Sequence, residues 1–188
     1  ESYVAVNLAM PGESRAAEDV FTAGSGDENN VSKAVFLFLN EKFEGCAEPC
    51  EVNGIDLIWE KTGLADHQNK KATTLVIKNG DKQVPAYIVA ILNPTKEYSA
   101  QTGLAELKSE HLNFSAYNTK GAFVMSNSVY KGENGKEVVA TPITIDHVQS
   151  TPELAQQNPV TISVERVVAK ANVENLSAAA AAWKSKET

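Results

Sequence analysis

An antiparallel β-sandwich with one or two short helices is the fold class this sequence predicts. Three observations carry the prediction. Apolar and polar residues alternate over several separate runs rich in Val, Ile and Thr, the two-residue period of a half-buried strand. Two further runs, 35–39 and 86–92, are apolar without a break and suit strands covered on both faces. Gly, Pro and Asn punctuate these runs with no strand–helix–strand rhythm, so a parallel α/β fold is not expected.

The composition agrees. The chain has 188 residues, 43% hydrophobic and 22% charged, enough for one domain with a proper core. Its net charge of -7 lacks the basic footprint that nucleic acid or anionic lipid demands of a partner. No run approaches the roughly 18 apolar residues of a membrane span. No signal peptide is visible, and the first residue is Glu1, so a removed or omitted leading segment is expected.

Val4, Val6, Leu8 and Met10 alternate with Tyr3, Ala5, Asn7 and Ala9, which predicts a first strand with one apolar face. Pro11-Gly12 ends it. The pattern then disappears as far as Asn30, which predicts a long exposed loop of the kind proteases cut. Residues 35–39 read as a central strand. Asn53-Gly54, Asn79-Gly80 and Gly132-Glu133-Asn134-Gly135 each separate strand-like runs and read as hairpin turns, because Asn and Gly tolerate positive φ. Pro85 and Pro142 cannot donate to a ladder, so each marks a strand start, an edge or a bulge.

A helix is expected near 102–112, with Leu104, Leu107, His111 and Leu112 on one face. Thr151-Pro152-Glu153-Leu154 reads as a helical turn with Thr as cap and Pro first. A long strand is expected from Val160: Val160, Ile162 and Val164 alternate with Thr161, Ser163 and Glu165. At Arg166 the alternation slips into Val167-Val168-Ala169, a bulge or a passage into full burial. The alanine-rich 176–183 is helix-permissive and low in complexity.

No catalytic constellation is present. The sequence lacks a nucleophile elbow, a His-Glu-x-x-His pair, a phosphate loop and a dinucleotide fingerprint, so neither enzymatic activity nor a cofactor is expected. Asp66-His67 and Asp146-His147 are neighbours in sequence only and read as surface polar residues. Asp27-Glu28-Asn29-Asn30 lacks the spacing of a calcium loop. Cys46 and Cys50 read as a local disulfide or as free thiols. Zinc would want four ligands, and His67, His111 and His147 are scattered, so no metal site is expected.

Several of these segments together resemble a known family. They are Ser14-Arg15-Ala16-Ala17-Glu18 behind the first strand, the lead-in 27–31 into 34–39, Tyr87-Ile88-Val89-Ala90 with Asn93, Phe123-Val124-Met125-Ser126, and 164–170. In that order and spacing they resemble the N-terminal domain of the fimbrillin family, the type V pilins of Bacteroidia, including minor-fimbrium subunits. The resemblance covers about residues 2–173. It implies a transthyretin-like β-sandwich and a non-enzymatic subunit, exported as a lipoprotein precursor to a fimbrium at the outer membrane and supporting cell adhesion. It also implies an arginine-specific processing protease and other fimbrial subunits as partners. The protease would cut between Arg15 and Ala16, detaching residues 1–15. A neighbouring subunit's strand would then fill the place of Val4, Val6, Leu8 and Met10. Export would favour pairing of Cys46 with Cys50.

The domain expected is therefore 1–173, with 174–188 a linker or the start of a second domain. Members of the family usually carry such a second β-sandwich and a donor segment, and this sequence ends at Thr188. The competing reading is a secreted β-sandwich that recognises carbohydrate or protein through its loops. The two differ over residues 2–15, since only a pilin needs its first strand to be releasable.

Overall fold

Two neighbouring strands that are apolar on both faces organise the molecule. The computed structural model describes residues 1–10, 30–53, 59–61, 67–69, 71–78, 84–109, 123–127, 130–131 and 137–167. The strands are β1 (Ser2–Met10), β2 (Lys33–Leu39), β3 (Cys50–Asn53), β4 (Trp59–Lys61), β5 (His67–Asn69), β6 (Thr73–Ile77), β7 (Tyr87–Leu92), β8 (Met125–Asn127), β9 (Tyr130–Lys131), β10 (Glu137–Val138), β11 (Thr141–Pro142) and β12 (Val160–Arg166). Helix α1 (Leu104–Ser109) and the single-turn helix α2 (Pro152–Ala155) complete the frame, with a 3-10 turn at Ile145–His147.

Among the described residues one sheet runs β3-β2-β7-β8-β12-β1-β5-β4, with β11 beside β7 and β6 beside β1. The sheet curls until it is nearly closed. Beyond β3, the Glu48 N–H donates to the Lys78 carbonyl at the end of β6, 3.1 Å away. The interior between the two halves holds Val4, Val6 and Leu8 of β1, Phe36 and Phe38 of β2, Leu75 and Ile77 of β6, Ile88 and Leu92 of β7, and Val160, Ile162 and Val164 of β12. The odd residues of β2 and β7 point outward into a smaller core, where Leu37, Val89 and Ile91 meet Leu104 and Leu107 of α1. The unbroken apolar runs of β2 and β7 thus serve two cores, one on each face.

Most predicted elements are present. Helix α1 begins at Leu104, and Leu107 packs on the outer core, while His111 and Leu112 lie outside the described residues. Thr151 caps α2 by accepting the Leu154 N–H at 3.3 Å, with Pro152 in the first turn. Pro142 sits in the short edge strand β11, where its missing N–H costs no ladder bond. β9 and β10 pair as the glycine-flanked hairpin predicts.

Among the described residues, two of the expected hairpin pairings are absent. β3 pairs with β2 and β4 with β5, so the strands flanking Asn53-Gly54 lie at opposite ends of the sheet order. Similarly, β6 pairs with β1 while β7 pairs with β2, β8 and β11, so no ladder joins the strands on either side of Asn79-Gly80. Asn-Gly signals a reversal, but partner choice depends on which edge can bury the strand's apolar face. Val167 is 50% exposed, so the slip after Arg166 does not lead straight into full burial. Among the described residues the ladders are antiparallel except where β1 meets β12, and those two run parallel.

Candidate functional site

The first strand occupies the middle of the sheet, paired on both edges. On one side Val6, Asn7, Leu8 and Ala9 register with Val160, Thr161, Ile162 and Ser163 of β12. Nearer its start Tyr3 exchanges two hydrogen bonds with Gln149, each 2.8 Å: the Tyr3 N–H donates to the Gln149 carbonyl and the Gln149 N–H to the Tyr3 carbonyl. On the other side residues 2–6 pair with β6, and Ala9 and Met10 pair with Gln68 and His67 of β5.

Val4, Val6 and Leu8 point inward and are completely buried, as their alternation predicts. At about 1.5–3 kcal/mol for each buried side chain, the three contribute at most about 5–9 kcal/mol. That compares with the roughly 5–15 kcal/mol stability of a whole domain. The site is therefore a groove one strand wide, bordered by β12 and by β6 with β5, and filled by the chain's own N-terminal strand. Met10 registers with His67, but its side chain, together with Arg15 and Ala16, lies outside the described residues.

The outer face of β1 is covered as well. Ala5 belongs to neither core, yet it has no exposed surface. Helix α2 packs on β1 from outside, and Ala155 is likewise fully buried. Gln156, which caps α2, reaches past β1 to β6 and donates from Nε2 to the Ala72 carbonyl (2.7 Å) and to Thr74 Oγ1. Thr74 is the register partner of Ala5, so both side chains share the outward face beneath α2. The sequence predicts the α2 turn but not its seat; the one trace of it is the small residue between Val4 and Val6.

β12 changes partner halfway. Val160–Ser163 pair with β1, whereas Val164, Glu165 and Arg166 pair with Asn127, Ser126 and Met125 of β8. One continuous strand therefore joins the groove to the other half of the sheet.

Cys46 and Cys50 lie in the connection from β2 to β3, and both are free thiols here. Gly45 bridges to Leu39, placing Cys46 across from Phe38, and its Sγ lies 3.4 Å from the Phe38 carbonyl. Cys50 registers with Phe36. Ala47, Glu48 and Pro49 therefore bulge out opposite Leu37 alone. Two positions along a strand are about 6.6 Å apart, near the upper Cα limit of about 6.8 Å for a disulfide. Burial raises both thiols above their ordinary range; at Cys50 a hydrogen bond from the Val76 backbone and the Lys78 charge oppose it.

Asp146 and His147 build no dyad, while Asp66 and the His67 side chain lie outside the described residues. His147 Nδ1 accepts the Thr144 N–H at 3.0 Å, closing the 3-10 turn, and His67 belongs to β5. Among the described residues no three His, Cys, Asp or Glu side chains gather where a metal could be held. No helix among them is long and apolar enough to cross a membrane. A hollow of about 320 Å³ lies on the outer face between α1 and the β7–β8 region, lined by Val89, Ile91, Leu104, Leu107 and Val124.

These features define a mostly β domain whose nearly closed sheet contains its own first strand as a central member. No family model and no curated protein sequence matches the chain. Its fold is similar to the crystal structure of a fimbrial assembly protein from Parabacteroides distasonis, with a TM-score of 0.50 and 9% identity over 88% of this chain. The chain spans about half, 51%, of that protein's length.

Proposed function

We propose that this chain is a structural, non-enzymatic subunit of a surface fimbria: the N-terminal domain of a fimbrillin-type pilin that assembles by strand replacement. The seat of β1 carries the reading. A strand in mid-sheet, with Val4, Val6 and Leu8 buried and both edges hydrogen-bonded, is a part whose loss would open a ready-made groove. The likeness in fold to a fimbrial assembly protein supports it.

In this reading an arginine-specific protease cuts after Arg15 and residues 1–15 depart. The freed edges of β12 and β6 then take an alternating strand from a neighbouring subunit. Lipoprotein export, outer-membrane attachment, a role in adhesion and oxidation of Cys46 with Cys50 belong to the same reading. A binding module working through its loops would instead keep β1 permanently.

The test is to digest the intact chain with an arginine-specific protease, follow the cuts by mass spectrometry and then look for filaments. The expected result is early cleavage at Arg15, followed by assembly or uptake of a donor peptide. Protection of Arg15, or loss of residues 1–15 with no change in melting and no response to donor peptide, would sink the reading.

A further inference from the structure

We infer that α2 is a clasp over the groove that selects the strand it admits, by requiring a small residue at the register position of Ala5. The inference rests on the strand-replacement reading and adds the chemistry of the partner. Three observations meet at one point on the outer face. Ala5 and Ala155 are both fully buried while lying outside the two apolar cores. Gln156 ties the end of α2 to the Ala72 carbonyl and to Thr74, across β1 from the place where the chain re-enters the sheet at Val160. Thr74 is the direct neighbour of Ala5. The strand is thus roofed at position 5, and the roof is fastened on both sides of it.

A roof of this kind reads sequence sterically. A methyl group fits beneath α2; a Leu or Phe there would have to displace α2 and break the bonds of Gln156. Asn7 and Ala9 share the outward face but are only half-buried, so larger side chains are tolerated at those positions. The partner that fits is an extended segment of a second chain that runs parallel to β12 and antiparallel to β6. It carries branched or long apolar side chains at the positions of Val4, Val6 and Leu8. At the position of Ala5 it carries Ala, Gly or Ser.

The experiment has two arms. In the intact chain, Ala5→Leu, Ala9→Leu, Ala155→Gly and the double variant Ala5→Leu/Ala155→Gly are compared by thermal melting. Overpacking at Ala5 should lower Tm by roughly 5–10 °C, against under about 2 °C for Ala9→Leu. Measured against Ala155→Gly alone, the Ala5→Leu penalty should shrink by about half. Failure of Ala5→Leu to fold, with recovery in the double variant, would count the same way. Equal tolerance at positions 5 and 9, or no recovery from Ala155→Gly, overturns the clasp.

In the second arm the full chain is nicked at a protease site introduced between residues 11 and 29. It is then offered labelled peptides of residues 1–12 as wild type, Ala5→Leu and Ala9→Leu. Wild type and Ala9→Leu should exchange in, and Ala5→Leu should be retained at least about tenfold less. Equal uptake of all three overturns the clasp. Uptake of none overturns strand replacement, while the melting arm still judges the clasp.

Discussion

The Asn127 side chain, at the last residue of β8, binds the main chain of β7 directly: its Oδ1 accepts the Ala90 N–H at 2.7 Å. Its Nδ2 donates to the Ile88 carbonyl (3.1 Å) and to Thr141 Oγ1 of β11 (2.9 Å). One buried amide thus closes the gap between the two partners of β7. Asn127→Ala should cost about 3 kcal/mol, because it strands a buried N–H and a buried carbonyl. Chemical denaturation would measure it, and a loss below about 1 kcal/mol would show that the amide is not needed there.

Asn93 does a similar service at the other end of β7. Its backbone has a φ of 53°. Its side chain accepts from the Ser32 N–H (2.8 Å) and donates to the carbonyls of Asn30 (2.8 Å) and Phe123 (2.9 Å). Glycine would accept that φ without strain but make none of these bonds. Asn93→Gly should therefore still lose about 2 kcal/mol. An unchanged denaturation midpoint would mean that only the backbone angle matters.

A substitution beside the groove should stabilise. Thr73 Oγ1 is buried with no hydrogen-bond partner among the described residues, and Thr73 registers with Val6. Thr73→Val keeps the branched shape and removes the hydroxyl, so it should add about 1 kcal/mol, or about 2–4 °C in Tm. A fall in Tm would show that the hydroxyl is satisfied in solution.

Gly45 has no room for a side chain. A Cβ there would run into the Ala100 carbonyl oxygen and come within 2.8 Å of the Gln101 carbonyl carbon, both of them backbone atoms. Gly45→Ala should destabilise by about 2 kcal/mol and should weaken the Leu104 N–H bond to the Phe43 carbonyl, which anchors the start of α1. Hydrogen exchange at Leu104 would report it.

Burial holds the Cys46 and Cys50 thiols above their ordinary range, so the folded chain keeps their protons more firmly than the unfolded chain does. The stability this contributes is complete below about pH 8.5, the unfolded thiol value. It is lost as pH rises through the higher folded values. The reduced protein should lose stability above that pH more steeply than a Cys46→Ala/Cys50→Ala variant, and its thiols should alkylate more slowly than free cysteine. Parallel pH profiles for the two proteins would refute this.

The strands whose burial follows a short period were legible in the residues themselves. Val4-Ala5-Val6, the 35–39 run and Val160–Val164 each state their faces locally, and the structure keeps those faces. Apart from the β9–β10 hairpin, pairing was not legible. Nothing near Asn53 says that β3 will turn back on β2 while β4 pairs onward with β5, because that choice depends on which edges the rest of the sheet leaves open. The groove was half legible: the apolar face of β1 was evident, but its parallel partner and the roof over Ala5 arise from contacts about 150 residues apart in sequence.

The parallel run of β1 and β12 has a mechanical consequence. The beginning of β1 and the end of β12 lie at opposite ends of the pair, so tension between them acts along the strands. The pairs from Val6–Val160 to Ala9–Ser163 are then loaded in shear and resist together. A hairpin pulled from its open end would instead peel one pair at a time. Stretching the protein between Ser2 and Val167 should accordingly give a single high-force rupture, the behaviour of a link made to bear load.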